Sequence, residues 1–238
     1  MTHPTATTSQ ESAPIGALDK LVITPRPLSD YRNMFLLTNE ELLGGRILDC
    51  PAGASPFGAQ VRARGGDVVS VDPAYAKPRA ELAERIQADL AKLEPWLQAN
   101  PDQPDWSYLG SPGALLRGFE LAVDLFLADY AANGEHYVAA ALPALPFPDK
   151  HFSLALCSHL LFTYPDFISL EAHLACVNEL LRVTAGEVRI FPLVDSASVR
   201  YPHLDAVRAT LREQGVHTEI RKAACAYNVG GDEMLVCR

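Results

Sequence analysis

Short apolar runs alternate with amphipathic stretches along most of the chain, from about residue 21 to the C-terminus. The apolar runs predict strands at residues 46–50, 67–72, 137–141, 152–157, 187–192, 217–223 and 233–237. The amphipathic stretches predict helices at residues 56–64, 170–181 and 202–214, and residues 184–186 predict a turn. Alternation of this kind is typical of an α/β protein. We therefore expect a Rossmann-like, seven-stranded, mostly parallel sheet between helices.

One stretch exceeds what this fold needs, because 64 residues separate Asp72 from Tyr137. Residues 78–99 carry an apolar stripe at helical spacing, and residues 112–132 are apolar nearly all round, as buried helices are. We expect residues 77–132 to form a helical insertion within a single domain spanning residues 21–238. The insertion either caps an acceptor pocket or buries its apolar face in a homodimer.

The net charge is −9, and no run of Lys or Arg interrupts the chain. This balance disfavours nucleic acid and anionic membranes as partners. No apolar run is long enough to span a bilayer, and residues 1–20 lack the features of a signal peptide, so we expect a disordered tail there. The five cysteines are scattered and never spaced as CxxC, which favours a reducing cytoplasm and no metal site.

Residues 47–55, with the sequence ILDCPAGAS, contain most of the first predicted strand and the loop that follows it. In an open α/β sheet, ligands bind beyond the carboxyl ends of the strands, where this loop lies. Gly53 would let a ligand approach the backbone, and free N–H groups at the next helix would attract an anion. Asp72 ends the second strand, where a carboxylate suits the hydroxyls of a ribose.

Five segments, in order along the chain, carry a family resemblance. Asp49 and Gly53 follow the first strand, Asp72 the second, and residues 145–152 read LPFPDKHF before the fourth strand, which ends in Cys157-Ser158-His159. With the closing GGDEML, this order resembles the class I S-adenosylmethionine-dependent methyltransferases. The resemblance runs from about residue 47 to the C-terminus, the insertion set aside.

The resemblance implies a cofactor site for S-adenosylmethionine. It places the amino-acid end of the cofactor near the first loop, the ribose on the second-strand acid, and the transferred methyl near the end of the fourth strand. The implied cofactor-binding residues are Asp49, Cys50, Pro51, Gly53, Ser55, Asp72, Ser158 and His159. A helix beginning at Tyr31-Arg32 could also fold over the cofactor and meet its carboxylate.

Departures from the family pattern leave two readings of this site open. Pro51 and Ser55 stand where the family usually has glycines, Ala141 replaces an acid that often faces the adenine, and residues 184–186 read TAG rather than PGG. Either the chain transfers a methyl group from S-adenosylmethionine to an unidentified small molecule, or it is a non-catalytic binding or regulatory protein on the same scaffold.

A nicotinamide-dependent oxidoreductase is a further alternative, but it would need GxGxxG after the first strand, and residues 50–57 contain one glycine. The catalytic residues are not identified by sequence. His159 is a candidate general base, although a packing role is commoner for such a residue. The histidines at 136, 151, 173 and 217 share no metal-ligand spacing and are expected on the surface.

Overall fold

The computed structural model describes residues 22–238, so the predicted tail at residues 1–20 lies outside the described residues. Within this range, seven strands form one sheet in the order β3-β2-β1-β4-β5-β7-β6. The strands are β1 Arg46–Asp49, β2 Asp67–Val71, β3 Tyr137–Val138, β4 Phe152–Ser158, β5 Thr184–Phe191, β6 Thr218–Lys222 and β7 Glu233–Cys237.

The strands β1 to β5 pair in parallel, and β7 is antiparallel to both β5 and β6. The carboxyl ends of β1, β2, β4 and β5 therefore meet at one edge of the sheet, where the order reverses between β1 and β4. The prediction of a Rossmann-like, mostly parallel α/β sheet is confirmed.

Helices cover both faces of the sheet. In the described part of the chain, a hydroxyl side chain caps the first turn of three of them. The hydroxyls of Thr38, Ser111 and Ser169 accept hydrogen bonds from backbone N–H groups in the first turns of α2, α7 and α8. The α-helices are α1 Leu28–Phe35, α2 Asn39–Leu43, α3 Phe57–Arg62, α4 Arg79–Leu90, α5 Leu93–Ala99, α6 Trp106–Leu109, α7 Pro112–Ala132, α8 Leu170–Val183 and α9 Leu204–Glu213.

Three local predictions differ from the structure. Residues 184–186 are the start of β5 rather than a turn, because α8 runs directly into the strand. Gly186 allows this: a side-chain carbon there would lie 2.2 Å from the carbonyl oxygen of Ser153 on β4. The predicted strand at 137–141 is only two residues long, and the predicted helix at 78–99 is divided into α4 and α5.

The insertion packs against the body of the domain at three places. Val123 and Phe126 of α7 are buried in a core cluster with Ala54, which follows β1, and Tyr137 of β3. Farther along, the amide of Asp105 donates to the carbonyl of Tyr227 (2.9 Å), and that of Val229 donates to the carbonyl of Gln103 (2.9 Å). Third, the Tyr108 hydroxyl of α6 donates to the Asp30 carboxylate of α1 (2.9 Å). These bonds fix the insertion across the ligand edge of the sheet.

The outer face of α7 is apolar at two positions one turn apart. Leu121 is 66% exposed and Leu125 50% exposed. No helix among residues 22–238 combines the length and apolar character needed to cross a membrane.

Candidate cofactor and acceptor cavities

A first cavity of about 200 Å³ lies beyond the carboxyl ends of β1, β2 and β4. Ala140, Leu142 and Tyr164 are among the residues that line it. Six of the eight cofactor-binding residues that the resemblance implies line this cavity: Cys50, Pro51, Gly53, Asp72, Ser158 and His159. Asp49 and Ser55 do not line it and are both buried beneath the loop.

Asp72 is held by the loop that it faces. Its Oδ2 accepts from the amide of Gly53 (2.9 Å), its Oδ1 accepts from the amide of Ala74 (2.9 Å), and the residue is 8% exposed. Burial raises the pKa of this carboxyl, and the two amides oppose the rise. Because each carboxylate oxygen has two lone pairs, both oxygens can accept one further hydrogen bond.

Several N–H groups of the first loop bond within the protein. Ala52 donates to the carbonyl of Val71, Ser55 to that of Ala52, and Gly53 to Asp72. At the start of α3, the amide of Phe57 donates to the Ser55 hydroxyl (3.1 Å). Gly53 has a φ of +55°, and a side-chain carbon there would lie 3.2 Å from the carbonyl oxygen of Thr24. Glycine is therefore required by the chain segment above the loop.

Asp49 positions an aromatic residue instead of facing the cavity. Its Oδ1 accepts from the Tyr31 hydroxyl (2.9 Å), and Tyr31 stacks on Phe57 with 4.2 Å between ring centroids. Oδ2 is buried without a hydrogen-bond partner among residues 22–238. Burial raises the pKa of this carboxyl well above its usual range. Tyr31 lines the cavity, whereas Arg32 does not line it and bonds Asn39.

Residues 22–26, to which the sequence analysis assigns no role, lie over the first loop. Ile23 donates its amide to the buried carboxylate of Asp89 on α4 (3.1 Å), and the Ser55 hydroxyl bonds the carbonyl of Arg26 (2.5 Å). Val22, Thr24 and Arg26 line the first cavity. No periodic pattern marks these residues, so only their charge and apolar character could have drawn attention to them.

His159 lies where the cavity meets the end of β4. Its Nδ1 is 2.9 Å from the Ser158 hydroxyl oxygen, and its amide donates to the carbonyl of Phe191 (2.7 Å). Its Nε2 is buried without a partner among the described residues. Burial, and then the positive charge of Arg26, lower the pKa of this imidazole well below its usual value. A neutral imidazole with so low a pKa is a poor general base near pH 7.

We expect His159 to stay neutral in the folded protein from about pH 8 down to below pH 6, where a free histidine is mostly protonated. The unfolded chain binds that proton first, so the stability contributed by this residue falls as the pH drops below about 6.5. Imidazole ¹⁵N shifts, with His159→Gln to assign the signal, measure this directly. A titration midpoint near 6.5 would contradict it.

Neither cysteine beside the cavity is poised to react. Burial raises the pKa of the Cys50 and Cys157 thiols, so both remain protonated at neutral pH. All five cysteines are free and buried. Within residues 22–238, no cluster of three or more His, Cys, Asp or Glu side chains could hold a metal ion. His173 is fully buried, which corrects its expected surface position.

A second cavity, of about 470 Å³, adjoins the first. Leu93, Trp96 and Phe119 of the insertion line one wall, and Phe191 and Tyr227 line the opposite one. The residues common to both cavities are Val22, Thr24, Arg26, His159 and Tyr164. Two other residues of α7 do not line this cavity: Arg117 is exposed, and Tyr130 stacks with Phe126.

Comparison with known proteins gives relatives at low identity. No family model matches the chain. An uncharacterized protein of Methanocaldococcus jannaschii is 28% identical over 222 residues, which cover 93% of this chain and 97% of that protein. Among solved structures, the chain is similar to magnesium protoporphyrin IX methyltransferase from Synechocystis with bound S-adenosylhomocysteine (TM-score 0.49, 13% identity, 87% of this chain and 80% of that one).

A second similar structure is 1,6-didemethyltoxoflavin-N1-methyltransferase from Burkholderia thailandensis (TM-score 0.43, 15% identity, 88% of this chain and 81% of that one). Because both TM-scores are below 0.5, neither structure indicates the chemistry of this chain. The sheet order and the antiparallel β7 give the chain the fold that the resemblance to class I methyltransferases implies.

Proposed function

We propose that this chain, which has the fold of the class I S-adenosylmethionine-dependent methyltransferases, binds that cofactor in the first cavity and transfers its methyl group to a small molecule in the second. The observation that supports this most is the position of Asp72. A carboxylate at the end of β2 lines a cavity over the first loop, and that cavity opens toward a second one.

The residues of the first cavity fit the parts of the cofactor. Asp72 keeps lone pairs for the two ribose hydroxyls, and Ala140 and Leu142 offer an apolar surface to the base. Asp49 would act at a distance by fixing Tyr31 against the amino-acid end. When bound, S-adenosylmethionine supplies a methyl group activated by its sulfonium charge.

The remaining contribution of the protein is alignment. His159 and Tyr164 lie on the border between the two cavities, where the methyl donor and the acceptor would meet. Holding two reactants in line lowers the barrier without any proton transfer by the protein. A neutral His159 with a lowered pKa suits an acceptor that needs no strong base.

The alternative of a non-catalytic binding protein is favoured by one feature, Ala141, which lines the cavity where the family often has an acid. Isothermal titration with S-adenosylmethionine, S-adenosylhomocysteine and NAD⁺ tests the cofactor. We expect the first two to bind with one-to-one stoichiometry and NAD⁺ not to bind. Binding of NAD⁺ alone would contradict the proposal and support an oxidoreductase.

A further inference from the structure

The second cavity carries one charged side chain that no carboxylate neutralises. Arg26 is 8% exposed, and among residues 22–238 it forms no ion pair. Its guanidinium bonds the Thr24 hydroxyl and lies 4.7 Å from the ring centroid of Tyr227. Its Nε is buried without a hydrogen-bond partner in the described part of the chain. Burying a cation without an ion pair costs free energy unless an anion binds next to it.

The guanidinium of Arg26 lies beside a wall of the second cavity. Tyr227, whose ring it contacts, lines the second cavity and does not line the first. The first cavity also has cations of its own, since Lys77 and Arg85 line it. The other cation lining the second cavity, Lys92, is paired with Asp89 (2.6 Å).

Most of the remaining lining of the second cavity is apolar, although Thr163, Ser196 and Asn228 also line it. Leu93, Trp96 and Phe119 come from the insertion, and Phe191 comes from the end of β5. Two carboxylates line this cavity. Asp89 bonds Arg85, Lys92 and the amide of Ile23, whereas Asp195 accepts from two amides of its own loop through one oxygen and forms no ion pair among residues 22–238. A mostly apolar cavity that contains the buried, unpaired guanidinium of Arg26 favours an apolar anion at that side chain.

We propose that the acceptor is a small aromatic or aliphatic carboxylic acid, whose apolar body fills the second cavity and whose carboxylate pairs with Arg26. This inference rests on the proposed function and deepens it. The guanidinium presents two parallel donors that pair with both oxygens of a carboxylate. A neutral amide of the same shape lacks the negative charge of the carboxylate and therefore binds more weakly. The insertion then selects the acceptor by shape, and Arg26 selects it by charge.

The test uses probes of matched shape and different charge. 3-Phenylpropionate and cyclohexylacetate, with their neutral amides, are titrated into full-length protein saturated with S-adenosylhomocysteine. Trp96 lines the cavity, so a Trp106→Phe background leaves a single reporter inside it. We expect the acids to change Trp96 fluorescence with dissociation constants of about 1 mM or below, and to bind about tenfold more tightly than the amides.

Variants assign the preference to one side chain. Arg26→Gln should abolish the preference for acids, and Arg26→Lys should retain part of it, because the charge stays and the planar fork is lost. Arg32→Gln is the matched control: Arg32 belongs to the neighbouring helix α1, is bonded to Asn39 and does not line the second cavity. Binding of S-adenosylhomocysteine should change less than about threefold in the Arg32→Gln control. Because Arg26 also lines the first cavity, the preference of each Arg26 variant for acids is measured at an S-adenosylhomocysteine concentration that saturates that variant.

Equal binding of acids and amides by the wild-type protein, or no binding of either acid, would overturn the proposal. So would an Arg26→Gln variant that keeps the preference but loses S-adenosylhomocysteine, because the guanidinium would then serve the cofactor. If the wild-type protein fails to bind S-adenosylhomocysteine, the proposed function fails, while the same titrations of the unliganded protein still test the charge preference of the second cavity.

Discussion

Replacing Asp72 by alanine should weaken the binding of S-adenosylhomocysteine by about 30- to 900-fold, which corresponds to about 2–4 kcal/mol. Two effects combine. The ribose hydroxyls lose a charged acceptor, and the amides of Gly53 and Ala74 lose the carboxylate that fixes the loop. Isothermal titration of the folded variant measures the loss.

Asp67→Ala is the matched control for this substitution. Asp67 stands at the other end of the same strand, about half exposed, and pairs with Arg46 away from the cavity. We expect that variant to bind S-adenosylhomocysteine like the wild-type protein. If Asp72→Ala and Asp67→Ala bind equally well, the ribose is not at the end of β2.

Gly53→Val should lower the affinity for S-adenosylhomocysteine by about a hundredfold or more. A β-branched residue is strained at a φ of +55° by about 1–2 kcal/mol, and its first side-chain carbon would lie 3.2 Å from the carbonyl oxygen of Thr24. The side chain must therefore displace the segment 22–26 or the loop itself, and both line the first cavity.

Gly65→Val is the control that separates the effect of backbone strain from the effect of the contact with Thr24. Gly65 also has a positive φ (+89°), but nothing lies within 4 Å of a side-chain carbon placed there. The Gly65→Val variant should therefore have a lower unfolding temperature but an unchanged affinity for S-adenosylhomocysteine. Thermal unfolding and titration of both variants give the comparison. Unchanged binding by Gly53→Val would show that the loop and the segment above it do not form the cofactor site.

The sequence was sufficient for those parts of the fold and site that depend on neighbouring residues. The strand–loop–helix pattern around Gly53 and the acid after the second strand follow from local periodicity and turn chemistry, and Asp72 lines the cavity where this pattern placed it. Asp49 has the same signature, an acid that ends an apolar strand. It bonds Tyr31 instead, because α1 packs against that side of the loop.

Other features depend on contacts between distant parts of the chain. Arg26 matters because its guanidinium lies over Tyr227, at the opposite end of the sequence, and no local pattern predicts that contact. The TAG sequence at 184–186 has the composition of a turn, yet pairing with β4 draws it into β5, and Gly186 permits the close approach. Tertiary contacts overrode local preference there.

A crystal structure of the complex with S-adenosylhomocysteine tests the proposed cofactor site. We expect both ribose hydroxyls to lie within hydrogen-bond distance of the Asp72 carboxylate. We also expect the thioether sulfur to lie on the side lined by His159 and Tyr164, facing the second cavity. Ligand bound outside the first cavity, or a sulfur turned away from the second cavity, would contradict the proposed site.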